Sequence, residues 1–262
     1  MIAMSGILVE RHGPTATLWL NRPERHNAFD DALIGELTAA LGSLAADTGV
    51  RVVCLAGKGK SFSAGADLAW MKRMAGYSPA ENEADARALA ELLHRLDSLP
   101  KPTIALVQGA AMGGGVGLVA ACDIALAAED AVFALSEVRL GLIPAVISPY
   151  VIAAVGPRAA RRCFLTAERF DAPRALALGL VSAVVPAAAL AAEAAGLARV
   201  LCGNGPGAMA EAKRLIADVA GRPIDAELRA ETARRIARQR AGAEGREGVA
   251  AFLEKRKPGW QG

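Results

Sequence analysis

Apolar residues recur along this chain in two periods. "TATLWL" (15–20) and "VRVVCLAG" (50–57) are short runs rich in apolar and β-branched residues, the pattern of strands. Between them "FDDALIGELTAALGSLAAD" repeats apolar residues at helical spacing, with Asp30 or Asp31 placed to cap its start. "PTIALVQGAA" predicts a third, buried strand, and "DIALAAEDAVFAL" predicts two short strands around a turn at Glu129–Asp130. Strands therefore alternate with helices as far as Pro186, an α/β pattern. Beyond Pro186 only helical periodicity remains, in "AALAAEAAGLARVLC", "GAMAEAKRLIADVA", "IDAELRAETARRIARQRA" and "EGVAAFLEKRK", broken by "GNGPG" and "GRPID". The pattern divides the chain into a strand-rich core, 1–186, and a helical region, 187–262. The wide alanine-rich faces of several of these helices suit packing on the chain's own core or on another subunit.

One segment defies its own periodicity. In "AAMGGGVGLVAACDIALA" an apolar helix begins among Gly113, Gly114, Gly115 and Gly117. Glycine costs a helix about 1 kcal/mol relative to alanine, so the cluster needs a cause. Either helix and strand pack too closely for side chains, or a ligand atom approaches the backbone. A second glycine-containing turn, "SFSAGADLAWM", also follows a strand. Backbone N–H groups at helix starts lack partners and sit at the positive end of the helix dipole. Two such turns brought together could direct two donors at one developing oxyanion. Downstream, "FALSEVRLGLIP" holds one acid, Glu137, in an apolar run; it caps a helix, pairs with Arg139 or serves as an acid/base.

Composition narrows the options. At 262 residues, 53% hydrophobic and 22% charged, the chain has ample core for a globular protein. The formal net charge is +3, but basic residues alternate with acids, as in "RAETARRIARQRAGAEGREG". That is the pattern of a solvated helix face, and no nucleic-acid partner is expected. Without a basic patch leading into a long apolar stretch, a cytoplasmic protein with no membrane association is expected. Cys54, Cys122, Cys163 and Cys202 match no metal or redox spacing and read as buried free thiols. The phosphate-loop pattern fails because Cys54 stands where its first glycine belongs, and the dinucleotide pattern fails at Leu118. His12, His26 and His94 form no metal motif and no evident Ser–His pair, so neither a metal site nor a serine hydrolase is expected.

Four segments, "LNRPERHNAFD", "SFSAGADL", "VQGAAMGGGVGLVAACDIALA" and "FALSEVRLGLIP", together resemble the enoyl-CoA hydratase/isomerase (crotonase) superfamily in order and spacing. The resemblance implies a crotonase-like spiral of ββα units, with two roughly perpendicular sheets and a C-terminal helical region that builds trimers or hexamers. It implies an acyl-CoA thioester substrate, so that coenzyme A enters as part of the substrate and no separate cofactor is needed. By position, the oxyanion donors would be the N–H groups of Ala66 and Gly114, and the acid/base would be Glu137. The CoA would lie along Ala64, Gly65, Asp67 and Leu68, beside Gly113 and the loop bearing Arg22, Arg25 and His26. Lys255 would reach a phosphate of CoA held by a neighbouring subunit.

The chain departs from the family's best-known hydratases at Gly117, where those carry a second glutamate. Three accounts follow: Glu137 does both proton transfers of a hydration, a substrate carboxylate helps hold the water, or the reaction is a double-bond isomerisation. A non-catalytic acyl-CoA binder is an alternative of another class. "GGGVGLVAACDIA", "EVRLGLIPAVISPYV" and "RAARRCFLTAERFDA" further resemble bacterial methylglutaconyl-CoA and isohexenylglutaconyl-CoA hydratases of leucine and acyclic-terpene breakdown. Their acyl chains are branched and carry a second carboxylate, for which Arg139 and Arg73 are the candidate partners.

Overall fold

A computed structural model describes residues 6–261. Its larger sheet has six strands in the order β1 (Ile7–His12), β2 (Thr15–Leu20), β3 (Val52–Gly57), β4 (Thr103–Val107), β6 (Ile124–Ala128) and β9 (Ala183–Val185). β1 and β2 are antiparallel, and every later neighbour is parallel. A smaller sheet orders β5 (Ala110–Met112), β7 (Val132–Ala134) and β8 (Arg169–Asp171). The two strands expected around Glu129–Asp130 both exist, but they join different sheets, as do β4 and β5. The chain thus steps from the large sheet to the small one twice.

Period-2 alternation gives the large sheet two apolar faces. Val53 and Leu55 face a core shared with Leu33, Leu37 and Leu41 of α1 (Asp31–Ala46), Leu92, Leu93 and Leu96 of α3 (Pro79–Asp97), and Leu118 of α4 (Gly114–Ala121). Val52, Cys54 and Ala56 face Leu190, Ala194 and Ala198 of α7 (Leu190–Cys202). The first helix after Pro186 therefore packs on the chain's own sheet. Of the two cap candidates for α1, Asp30 is the cap; its carboxylate accepts from the Leu33 N–H at 3.0 Å.

The later helices, α8 (Pro206–Val219), α9 (Ala226–Ala241) and α10 (Ala243–Leu253), bury only Ala210, Leu228 and Ala251. They leave Ile216, Val249, Phe252 and Leu253 exposed. Polar ties hold them to the core. Lys213 Nζ pairs at 2.8 Å with Asp123, whose carboxylate also accepts from the N–H and hydroxyl of Thr103 at the start of β4. Arg51 donates to the Trp260 and Asn204 carbonyls. All four cysteines are free; Cys54 and Cys163 are buried, whereas Cys122 and Cys202 are only half-buried, a correction to the expectation for those two. Burial pushes the Cys54 thiol up to about 11, away from reactivity at neutral pH. No helix among the described residues is long and apolar enough to cross a membrane.

The crossing into the small sheet depends on Gly109. Its φ is +57°, and a Cβ there would stand 1.9 Å from the Lys60 carbonyl oxygen. Gly35, inside α1, has nothing within 4 Å of the same position. Gly109→Ala is expected to unfold the chain or lower its Tm sharply, while Gly35→Ala raises stability by about 1 kcal/mol. Thermal unfolding of the two variants checks this.

Candidate active site

The two glycine turns meet at the edge of the small sheet. Ser63 bridges Ala111 in parallel: its N–H donates to the Ala110 carbonyl at 3.0 Å, and its own carbonyl accepts from Met112 N–H at 2.9 Å. A side chain on Gly115 would strike the Ser63 carbonyl at 2.8 Å. Close packing of backbone on backbone thus accounts for part of the glycine cluster.

The rest concerns donors. Ala64, Ala66 and Leu68 are exposed, alternating with buried Ser63, Gly65 and Asp67. Phe29 N–H donates to the Gly65 carbonyl at 2.8 Å, and Asp67 N–H donates to the Phe29 carbonyl at 2.8 Å. This bridge pairs Phe29 with Ala66 while using neither polar group of Ala66, so the Ala66 N–H is free among the described residues. The Phe29 ring packs on Gly114, where a Cβ would lie 2.5 Å from Cε2. One residue therefore holds Ala66 with its backbone and Gly114 with its side chain. Phe29 lies within "LNRPERHNAFD", but nothing local to the sequence marks it for this task. Gly113, at φ +50°, caps α4 without a side chain and gives its own N–H to the Ala134 carbonyl. The first-turn N–H groups from Gly114 onward have no intrahelical acceptor.

Glu137 stands over this helix start. A Cβ on Gly113 would be 3.1 Å from Glu137 Oε1. Glu137 Oε2 is buried and has no hydrogen-bond partner among the described residues. Burial raises the pKa of this carboxyl above the ordinary glutamate value, outweighing its own backbone N–H. Among the described residues it makes no ion pair with Arg139, whose guanidinium donates to the Ala167 carbonyl at 2.8 Å. Of the three roles open to it, acid/base work fits these surroundings. Gly117, four residues after Gly113, lies on the same face of α4. A Cβ there would be 2.3 Å from Cγ2 of buried Ile147, so an apolar side chain fills the place next to Glu137 along the helix.

The other expected site residues fall into two groups. Arg22, Arg25 and Asp67 are brought together: Asp67 meets Arg25 at 3.1 Å and Arg22 at 3.6 Å, and Arg22 meets Asp30 at 2.8 Å. The Asp67 carboxylate also caps α2 (Leu68–Met74), accepting from Ala69 and Trp70 N–H. Burial alone would raise its pKa, but hydrogen bonds from Trp70 N–H, Arg25 and Ala69 N–H hold it low. Its side chain is engaged in shaping the turn. Arg73 extends from α2 to Asp31 at 2.6 Å. His26 Nδ1 lies 3.0 Å from Ser61 Oγ, which corrects the expectation of no Ser–His pair; the partners are 35 residues apart and meet only in the fold. Lys255, with φ +55°, is not brought to these turns. Its segment returns through Trp260 to Arg51 before β3, whereas the Ala66 turn follows the other end of that strand. Among the described residues no group of three or more His, Cys, Asp or Glu is placed to hold a metal ion.

The enoyl-CoA hydratase/isomerase family model matches residues 10–262. The 2,3-dehydroadipyl-CoA hydratase of Escherichia coli is 36% identical over 261 residues, covering 99% of this chain and 100% of that protein. A crystal structure of an enoyl-CoA hydratase from Shewanella pealeana superposes with a TM-score of 0.96 at 46% identity, covering 98% of this chain and 97% of that one. The Pseudomonas aeruginosa protein AtuE gives 0.93 at 38% identity, covering 98% and 100%.

The unpartnered carboxyl has a consequence for stability. A folded-state pKa raised above the unfolded value favours the protonated form, so ionised Glu137 costs stability once pH rises through the folded value. Glu137→Gln is expected to have a higher Tm than the native chain at pH 7. The gap should close as pH falls to about 4, the ordinary carboxylate range. Thermal melts across that window check the sign.

Proposed function

The chain belongs to the enoyl-CoA hydratase/isomerase family, and from that premise we propose that it adds water across the 2,3 double bond of an acyl-CoA thioester. The observation that carries the reading is the buried, unpartnered Glu137 Oε2, set beside the helix start where the Gly114 N–H is unclaimed. The thioester oxygen accepts from Ala66 and Gly114 N–H. Water bonds to C3 as Glu137 takes its proton, and the double-bond electrons pass into the thioester as an enolate. The two donors stabilise the charge that develops on oxygen. Glu137 then returns its proton to C2, so one water is added and the carboxylate is regenerated. Its raised pKa suits a group that must both accept and donate.

The Ile147 packing on Gly117 favours one competing reading: with no second acid beside Glu137, a single carboxylate could instead carry a proton between C2 and C4 of a 3-enoyl thioester. Oxygen-18 water separates the two. Label in the 3-hydroxyacyl product supports hydration; a 3-enoyl substrate converted to its 2-enoyl isomer without label supports the alternative. Glu137→Gln is expected to lower kcat by roughly 10²-fold or more, since size and polarity survive but proton transfer does not. In the native enzyme the acid limb of kcat/KM should lie above the ordinary glutamate range and be shared by both reaction directions.

The acyl chain in this reading is branched and carboxylated, of the methylglutaconyl type. Arg73 and Arg139 are the cations offered to its second carboxylate, and each keeps donors beyond its contact with Asp31 or the Ala167 carbonyl. The exposed apolar residues of α8 and α10 support assembly into trimers or hexamers, in which Lys255 serves the CoA of a neighbouring subunit. Arg73→Ala or Arg139→Ala is expected to raise KM for 3-methylglutaconyl-CoA while leaving KM for crotonyl-CoA unchanged. Steady-state kinetics on both substrates decide between the two arginines.

A further inference from the structure

The pairing of His26 with Ser61 has no part in the chemistry above, yet the backbone around it is unusual. His26 and Asn27 are consecutive non-glycine residues with φ of 51° and 55°. Such conformations persist only where the surroundings over-determine them. Here they do. Asn27 is fully buried; its Oδ1 accepts from Arg22 N–H, and its Nδ2 donates to the Lys58 and Ser61 carbonyls. Ser61, 5% exposed, thus receives Asn27 at its carbonyl and His26 at its hydroxyl.

The consequence appears three residues on. With His26 turned this way, its carbonyl accepts from Ala64 N–H at 2.9 Å. The Phe29–Gly65 and Asp67–Phe29 hydrogen bonds continue the pairing, so residues 26–29 form a template for 64–67. The Ala66 N–H lies between these rungs and is used by none of them. Its direction is therefore set by the template, and the imidazole is the exposed side chain that locks the template's first residue to a buried partner.

We infer that His26 and Ser61 act as one unit to hold residues 26–29 in register with 64–67 and so aim the Ala66 N–H at the thioester oxygen. This rests on the reading of Ala66 as an oxyanion donor. His26 is then a positioning residue and takes no proton in the reaction.

The test compares His26→Gly, Ser61→Ala, the double variant and His26→Asn in the full-length protein. Glycine keeps the left-handed backbone while losing the ring, and asparagine tolerates that backbone while offering a polar atom near the place of Nδ1. Two readouts are taken: kcat and KM with an enoyl-CoA substrate, and the red shift of bound cinnamoyl-CoA, whose absorption follows polarisation of the thioester carbonyl. His26→Gly and Ser61→Ala should each lower kcat by roughly 10-fold or more, because a small misplacement of a donor is costly. KM should be unchanged and the red shift reduced. The double variant should be no worse than either single one, as expected of residues that act together. His26→Asn should recover most of the loss. Ser61→Ala removes a single oxygen, so it keeps the test open if the glycine variant unfolds.

Native kcat and red shift in both single variants would overturn the inference. So would a raised KM with kcat intact, which would make the ring a contact for the CoA. A native protein that binds cinnamoyl-CoA with no red shift would remove the oxyanion reading itself, and this inference with it. Native polarisation that survives in the variants would remove only the positioning role.

Discussion

The site depends on how Phe29 is held. Its backbone makes the bridge that fixes the Ala66 turn, and its ring rests on Gly114 at the start of α4. Two donors from segments nearly fifty residues apart are thereby referred to one residue at the N-terminal end of α1. The contact works only because Gly114 lacks a Cβ, which would lie 2.5 Å from the ring. A similar bargain holds between Gly115 and the Ser63 carbonyl. The glycine cluster serves close packing in two ways. Gly115 lets backbone approach backbone, and Gly114 lets an aromatic ring approach a helix start whose N–H groups remain unclaimed.

Charge is distributed with the same economy. Arg22, Arg25, Asp30 and Asp67 neutralise one another beside α2, so the polar loop that borders the site presents little unbalanced charge to it. Glu137 is the exception. Among the described residues it has no cation of its own, and it loses solvation on folding, so its pKa rises rather than falls. Asp67 shows the contrast: burial would raise its pKa too, yet Arg25 and the N–H groups of a helix start hold it low. The two acids thus shift in opposite directions, one held low by its partners while it shapes a turn and the other raised by burial.

What the sequence disclosed follows from how local each signal is. α1, β2, β3, β4 and the helical region were legible because periodicity and caps act within a few residues. Glu137 was legible as a lone acid in an apolar run. The division of β4 from β5, and of β6 from β7, was not, because sheet membership is decided by partners remote in sequence. The same holds for His26 with Ser61, both polar residues in loops that single-chain pattern cannot bring together. Ile147 was hidden differently, as one apolar residue among many in "GLIPAVISPYV". Its significance lies in what it touches.

That contact bears on what stands beside Glu137. Gly113 and Gly117 lie one turn apart on the same face of α4. Glu137 packs against the first and Ile147 against the second. A second acid at residue 117 would need Ile147 displaced, and it would also place a like charge close to Glu137, pushing the pair into coupled titration. The apolar contact avoids both. It adds apolar bulk beside Glu137, where burial already holds the carboxyl pKa above the ordinary glutamate value. The missing side chain at Gly117 and the bulk of Ile147 are thus two halves of one arrangement, which sets an apolar group rather than an acid one turn along the helix from the residue that Glu137 packs against.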